Sequence, residues 1–487
     1  MYEPKQISLF DIYADCLDSL ENDKPQFLSL LEEHIDLDAL IPKSFYEHFY
    51  LRFGRPRKHP LRAFLWALII QRLFSIPTDS LLIVFLMYSP ELRKFCGFGK
   101  IPDASKFTRF KQCFVEDLKT MFDNLVDLTE PVCKTIDEYL AVMTIYDTSG
   151  IESFVRENNP KYADSIIKGI KAWKKANDID DTVDPYKVAY SKMPSHAAAN
   201  PSIKQMYANG HFCYAYKFGI VTNGLGIVRD IDFYDEAFFA EHPEIEISKK
   251  TDSPDEDKSL GDARALLPTL KGFFRKHPQI KPAVFAGDAA FDKIDIYGAL
   301  LGENGIGFSK AFIPLNKRSG LVYPDCPLNE DGVPCCPNDP TLPMRQEGNT
   351  SHLRCKKPTL KFVCPKMKWR ECDDGKWRRR TSCEKPCTDS PCGRMFYVYP
   401  EKNLRAFPGT VRGTDEWDNT YKTRCAVERT INHFKDSLCL AGRRTQNAST
   451  TKADLYLAGI TQQLSVLIAN AIHKHEYLRS LKPLIAA

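Results

Sequence analysis

Four residues near the C-terminus, Tyr421, Arg424, Glu428 and Lys435, carry the first suggestion of chemistry. At about 100° per residue along a continuous helix they fall within an arc of roughly 60°. One face then presents a phenol, a guanidinium, a carboxylate and an ammonium. Spacing alone leaves two readings open. Arg424 and Glu428 could form an ordinary solvated i,i+4 ion pair. Alternatively, Glu428 is the third carboxylate of a set completed by Asp147 and Asp288. Each of these aspartates closes a strand-like run, residues 141–146 and 282–286. Open sheets place ligand-binding groups at strand ends, although aspartates there also commonly cap turns. Three carboxylates suit an oxygen-preferring divalent cation such as Mg²⁺ or Mn²⁺. Two such ions about 3.5–4 Å apart could activate an attacking water or hydroxyl and stabilise a leaving oxygen. The fork of Arg424 and the point charge of Lys435 suit phosphate, and Tyr421 could bond a phosphate or stack on a displaced base.

Two further groups stand out. Nine of the sixteen cysteines, Cys326, Cys335, Cys336, Cys355, Cys364, Cys372, Cys383, Cys387 and Cys392, crowd into one stretch. Such density favours structural zinc, with disulfides or unliganded thiols as the alternatives, because the spacing contains no pair of clean C-x2-C knuckles. Residues 355–380 also hold ten Lys or Arg against three acidic residues, with Trp369 and Trp377 interleaved. That pattern suits DNA backbone and unstacked bases, or a solvated basic surface. Nearer the N-terminus, Arg52, Arg55, Arg57, Lys58 and Arg62 form one basic group, and Lys106, Arg109 and Lys111 another. Both suit phosphate contacts.

The elements that must position these groups are legible in outline. Three- and four-residue apolar spacing predicts helices through residue 135. A β-branched run follows at 141–146 and is expected to stop at Asp147-Thr148-Ser149-Gly150. Residues 159–210 read as a polar insertion with a Lys-rich helix near 166–175. A hairpin then spans 212–221 and 226–233 around Thr222-Asn223-Gly224. A helix at 261–276, a strand at 282–286, a short helix at 294–301 and a strand near 307–313 follow. This order predicts a mixed sheet with helices packed on it. From 316 to 394 periodicity disappears and a strand-poor insert is expected. Helices resume at 418–440 and from 453 to about 473.

Bulk properties set limits. A chain of 487 residues with 43% hydrophobic content is expected to hold two or three folded units, and a net charge of +4 does not by itself point to nucleic acid. Apolar runs near 61–76 and 81–87 are too short or too interrupted to span a membrane. The first residues carry Glu3, Asp11 and Asp15 instead of a cationic start followed by an apolar run, so no secretory signal is expected.

The spacing Tyr421-x2-Arg424-x3-Glu428-x6-Lys435 resembles the signature of one large branch of bacterial insertion-sequence DDE transposases. Gly287-Asp288-Ala289-Ala290-Phe291-Asp292 resembles the segment around that family's second aspartate, and Tyr146-Asp147-Thr148-Ser149 its first. Gly54-Arg55-Pro56 and residues 102–110 are similar to the helical domain upstream. The resemblance covers about residues 50–475, with gaps at the two inserted regions. It implies an α/β protein: a helical DNA-binding domain at 1–135, a ribonuclease H-like mixed-sheet catalytic core at 136–315 and 395–487, and a cysteine-rich insertion at 316–394. It further implies catalysis by Asp147, Asp288 and Glu428 holding two Mg²⁺ (or Mn²⁺) ions, with Asp147 bridging. DNA contacts are implied for Tyr421, Arg424, Lys435, Arg55, Arg57, Lys58, Lys106 and Arg109. The implied partners are the terminal inverted repeats and target DNA, engaged by a homodimer in a paired-end complex in the bacterial cytoplasm. Two alternatives remain: a metal-dependent nuclease without strand transfer, and a catalytically inactive DNA-binding protein derived from a transposase.

Overall fold

The computed structural model describes residues 8, 10, 13, 26–51, 53–177, 188–189, 193–208, 210–247, 259–316, 327–329, 332–350, 359–399, 404–442 and 444–485. It is a mixed α/β protein. The N-terminal part is helical: α1 (Gln26–His34), α2 (Leu37–Leu40), α3 (Lys43–Phe49), α4 (Leu61–Leu73), α5 (Asp79–Tyr88), α6 (Pro90–Cys96), α7 (Ala104–Cys113), α8 (Val115–Ile136) and α9 (Glu138–Ala141). Cap residues set several starts: the Thr78 and Asp103 side chains accept the N–H groups of Leu81 and Lys106. In α4 every residue except Arg62 is buried, which explains its all-round apolar sequence.

Strand β1 (Met143–Glu152), helix α10 (Pro160–Ala176) and strands β2 (His196–Ala197), β3 (Asn200–Ala208), β4 (His211–Thr222) and β5 (Val228–Phe233) come next. Helices α11 (Glu236–Glu241) and α12 (Asp262–Lys276) lead to β6 (Val284–Ala286), α13 (Ile294–Leu301) and β7 (Lys310–Phe312). These seven strands form one sheet in which β3 and β5 both pair with the long β4, and the order continues β4-β1-β6-β7. The pairs β3/β4, β4/β5 and β4/β1 are antiparallel, whereas β1/β6 and β6/β7 are parallel. The expected hairpin is thus present. The polar stretch before it contains the additional strand β3, which the sequence pattern did not reveal because its burial does not alternate cleanly.

The cysteine-rich segment is not strand-poor. It contains β8 (Cys335–Cys336), β9 (Asp339–Pro343), β10 (Arg345–Thr350), β11 (Thr359–Val363), β12 (Met367–Glu371), β13 (Trp377–Thr381) and β14 (Met395–Val398). They form a three-stranded sheet and two hairpins over a small core that includes Val333, Met344, Phe362, Phe396 and Phe407. Short strands with polar outer faces leave little periodic signal.

Three more α-helices follow: α14 (Asp415–Lys422), α15 (Cys425–Asn432) and α16 (Ala448–Ala471). Helix α16 lies against α8, where the Thr129 hydroxyl donates to Gln463 at 2.6 Å. It also supplies Asp454 to a buried ionic group: Arg72 approaches at 2.6 Å, and Lys111 reaches Asp454 at 3.4 Å and Asp79 at 2.9 Å. One hydrophobic core runs from the N-terminal helices through the sheet into α16. Among the described residues, no helix is long and apolar enough to cross a membrane.

Candidate active site

The sheet register brings Asp147 and Asp288 side by side. β1 and β6 run parallel from Met143 opposite Val284 to Ile145 opposite Ala286. Two residues further along each chain stand Asp147 and Asp288. β6 ends there, but β1 does not, because β4 continues to pair with it as far as Glu152 opposite Ala215. Asp147 therefore lies within a strand, and not in the turn its sequence suggested. On its other edge the pairing with β6 stops at Ile145, two residues before Asp147.

Local packing fixes the Asp288 turn. The Phe291 ring packs at a tilt against Tyr146, the neighbour of Asp147, with ring centroids 5.6 Å apart. A Cβ on Gly287 would come within 2.8 Å of both the Phe285 and Phe291 rings, so only glycine fits. Asp288 is exposed and accepts the backbone N–H of Ala289. Asp292 ends the same segment, buried, with its two oxygens on the Arg405 guanidinium at 2.9 and 2.7 Å. Its role is to hold the turn, and Arg405 is a partner that sequence spacing could not identify.

Glu428 reaches the site through Arg424. The guanidinium donates to Glu428 Oε1 at 2.5 Å, and its Nη1 lies 3.7 Å from Asp147 Oδ2. That Nη1 is buried and has no hydrogen-bond acceptor in the structure. The field of Asp288 also reaches Arg424, whose pKa is raised by its tyrosine and carboxylate neighbours against the cost of burial. Burial pushes the Asp147 carboxyl up to about 6; the Thr148 N–H and Arg424 oppose this, and Asp262 and Asp288 add to it. The three carboxylates do not converge within 4.8 Å of a common set of atoms.

The helix carrying these residues is not continuous. Between α14 and α15 the N–H groups of Thr423 and Arg424 bond three residues back, to Thr420 and Tyr421. In such a tight turn, residues i and i+3 eclipse, and the Tyr421 phenol engages Arg424 directly. After α15 the chain widens into a π-turn, His433–Ser437. There Lys435 is buried and donates to Ser149 Oγ at 2.6 Å, and burial depresses its pKa. The expectation of one exposed face thus changes: Arg424 and Glu428 flank Asp147, while Lys435 points into the sheet beyond it. A cavity of about 650 Å³ lies beside Lys435, lined by residues of the β1 end and Gly442.

Of the N-terminal basic residues, Arg55, Arg57, Lys58, Lys106 and Arg109 are exposed. Lys58 and Lys106 both depress the pKa of His59, after the larger effect of its burial, so the two basic groups meet there. Arg57 stacks on Phe49 at 4.9 Å and donates to its carbonyl. Lys111 is buried in the core ion group and is unavailable to DNA. Arg52 lies outside the described residues.

Of the cysteines, Cys326 and Cys355 lie outside the described residues. Cys335, Cys336 and Cys364 are buried, and Cys372, Cys383, Cys387 and Cys392 are partly exposed. Burial, and then the neighbouring Cys336 and Cys364 thiols, raise the pKa of Cys387. The described residues of this segment contain no group of three ligands within 4.8 Å.

Residues 15–113 match the family model described as Transposase domain (DUF772). The chain carries a transposase domain. It ends at the last residue of α7, before the sheet begins, so the match supports a bacterial insertion-sequence transposase without reaching the three carboxylates. A transposase domain points to a DNA-processing enzyme with DNA as its partner. No match is found among curated proteins or solved structures.

Proposed function

We propose that the protein is a DDE transposase that cleaves transposon-end DNA and joins it to a target, with Asp147, Asp288 and Glu428 as the catalytic carboxylates. The observation that carries this reading is that Asp147 and Asp288 each stand two residues past the parallel pairing of β1 with β6, with Arg424 linking Glu428 to Asp147. The strand order β5-β4-β1-β6-β7, with its first two pairs antiparallel and its last two parallel, supports a ribonuclease H-like core. The donor set is all carboxylate oxygen and fits Mg²⁺ or Mn²⁺, and the buried, unaccepted Nη1 of Arg424 suits a phosphate oxygen.

Two bound divalent ions would supply Lewis-acid activation of the attacking hydroxyl and charge neutralisation at the leaving oxygen. Asp147, Asp288 and Glu428 would hold these ions. Arg424 turns its free Nη1 to the scissile phosphate while keeping Glu428 oriented. Tyr421, eclipsed with Arg424, donates to the same backbone or stacks on a displaced base. Lys435, fixed by Ser149, holds a phosphate further along the strand. The basic surface around His59, with Arg55, Arg57, Lys58, Lys106 and Arg109, binds the terminal repeat, and a homodimer pairs two ends. Structural zinc in the cysteine-rich segment would draw on Cys335, Cys336, Cys364, Cys372, Cys383, Cys387 and Cys392, of which no three among the described residues stand within 4.8 Å of one another.

Asp147→Asn, Asp288→Asn and Glu428→Gln are each expected to lower Mg²⁺-dependent cleavage of end DNA by at least about 100-fold with folding and end binding retained. Wild-type cleavage by any of the three would overturn the assignment. Joining of a pre-cut 3′-hydroxyl end separates a transposase from a plain nuclease.

A further inference from the structure

A second set of metal-ligating side chains lies on the same sheet, away from the three carboxylates. Glu152 is the last residue of β1, opposite Ala215 of β4. His211 and Cys213 lie four and two residues before Ala215 on β4, and the period-two alternation of a strand puts all three positions on one face. The ladder thus fixes a carboxylate, an imidazole and a thiol as neighbours. One ligand atom from each lies within 4.8 Å of the others.

The distances suit a tetrahedral ion. His211 Nε2 and Glu152 Oε2 are 3.4 Å apart. With Zn–N and Zn–O bonds near 2.0–2.2 Å, adjacent ligand atoms of a tetrahedral zinc are about 3.3–3.5 Å apart. As an ion pair, the same contact is long and exposed, with side chains 52% and 39% accessible, so it would add little stability. Cys213 is buried at the foot of the group, against Met206, Ala208 and Ala215. Burial pushes its thiol up to about 12, so an incoming ion would displace a proton. Glu152 also lines the cavity beside Lys435, which gives an ion a route in from solvent.

We infer that Glu152, His211 and Cys213 form a zinc site with three protein ligands and a fourth position open to water. A nitrogen, sulfur and oxygen donor set selects a borderline-soft ion such as Zn²⁺ over Mg²⁺. The site is therefore chemically distinct from the all-carboxylate one. Lys435 meets β1 between the two, donating to Ser149 Oγ at 2.6 Å, a residue that lies between Asp147 and Glu152 along the strand. The inference rests on this geometry alone and stands whether or not the protein is a transposase.

The test is Zn²⁺ and Co²⁺ titration of the full chain after metal stripping, with bound metal counted by elemental analysis. His211→Ala, at an exposed position that should not disturb folding, is expected to remove one equivalent relative to wild type. Glu152→Gln should weaken that equivalent at least about tenfold, and Cys213→Ser should remove the corresponding thiolate-to-cobalt absorption. Cys387→Ala, in the cysteine-rich segment, should leave this equivalent in place, which separates it from any metal held by that segment. Equal metal content in wild type and His211→Ala would overturn the inference and leave Cys213 as a packing residue.

Discussion

The Arg424 guanidinium occupies the space between Glu428 and Asp147, where a cation is needed whenever both carboxylates are ionised. Its presence lowers the Asp147 pKa, but burial is the larger effect and leaves the group titrating near 6. A folded-state value above the ordinary carboxylate range means that the native state prefers the protonated form. The destabilisation is fully present above about pH 6 and is relieved as pH falls toward the unfolded value near 4. Asp147→Asn should therefore raise the stability of the metal-free protein at pH 7.5 by about 1–2 kcal/mol, read from denaturant midpoints. The same proton competes with metal. Mn²⁺ affinity should be level above pH 6 and fall about tenfold per pH unit below it, measured by electron paramagnetic resonance. Removing the guanidinium with Arg424→Ala should move that transition to higher pH. The identities of these residues were legible in the sequence. The bond from Lys435 to Ser149 was not, because it depends on a π-turn that no residue pattern announced.

Elements, more than single contacts, decide whether the carboxylates meet. Gly287 allows the Asp288 turn to close on Phe285 and Phe291, so Gly287→Ala should cost about 1–3 kcal/mol and reduce cleavage by shifting Asp288. An unchanged thermal midpoint would contradict this close approach. The parallel strands β6 and β7 were readable because they are short apolar runs flanked by helices. β3 was not readable, since half-buried positions give no clean alternation. In the cysteine-rich segment, the hairpin β12/β13 presents Trp369 and Trp377, 53% and 63% exposed, with Arg379 stacked on Trp369 at 5.0 Å. Alanine at both tryptophans should weaken binding of end DNA with unpaired bases about tenfold or more, with little change for uniform duplex, as fluorescence anisotropy would show.

At the scale of the whole molecule, the helices at the two ends of the chain pack together and carry the sheet between them. The buried group Arg72, Lys111, Asp79 and Asp454 fastens α4, α5 and α7 to α16. Arg72→Ala leaves a buried carboxylate poorly compensated and should cost about 3–5 kcal/mol. This long-range contact was invisible in the sequence, where Arg72 only interrupts an apolar helix and Lys111 looked like a DNA-facing residue. The helical order, by contrast, was plain from apolar spacing. Such rigidity matters because Glu428 is far in sequence from Asp147 and Asp288, and only a shared core can keep it in place. The most direct test of that convergence replaces Asp147 or Asp288 by cysteine and compares cleavage in Mg²⁺ and in the more thiol-tolerant Mn²⁺. Metal-holding carboxylates predict loss of activity in Mg²⁺ and its recovery in Mn²⁺; wild-type cleavage in Mg²⁺ by either cysteine variant would contradict the account.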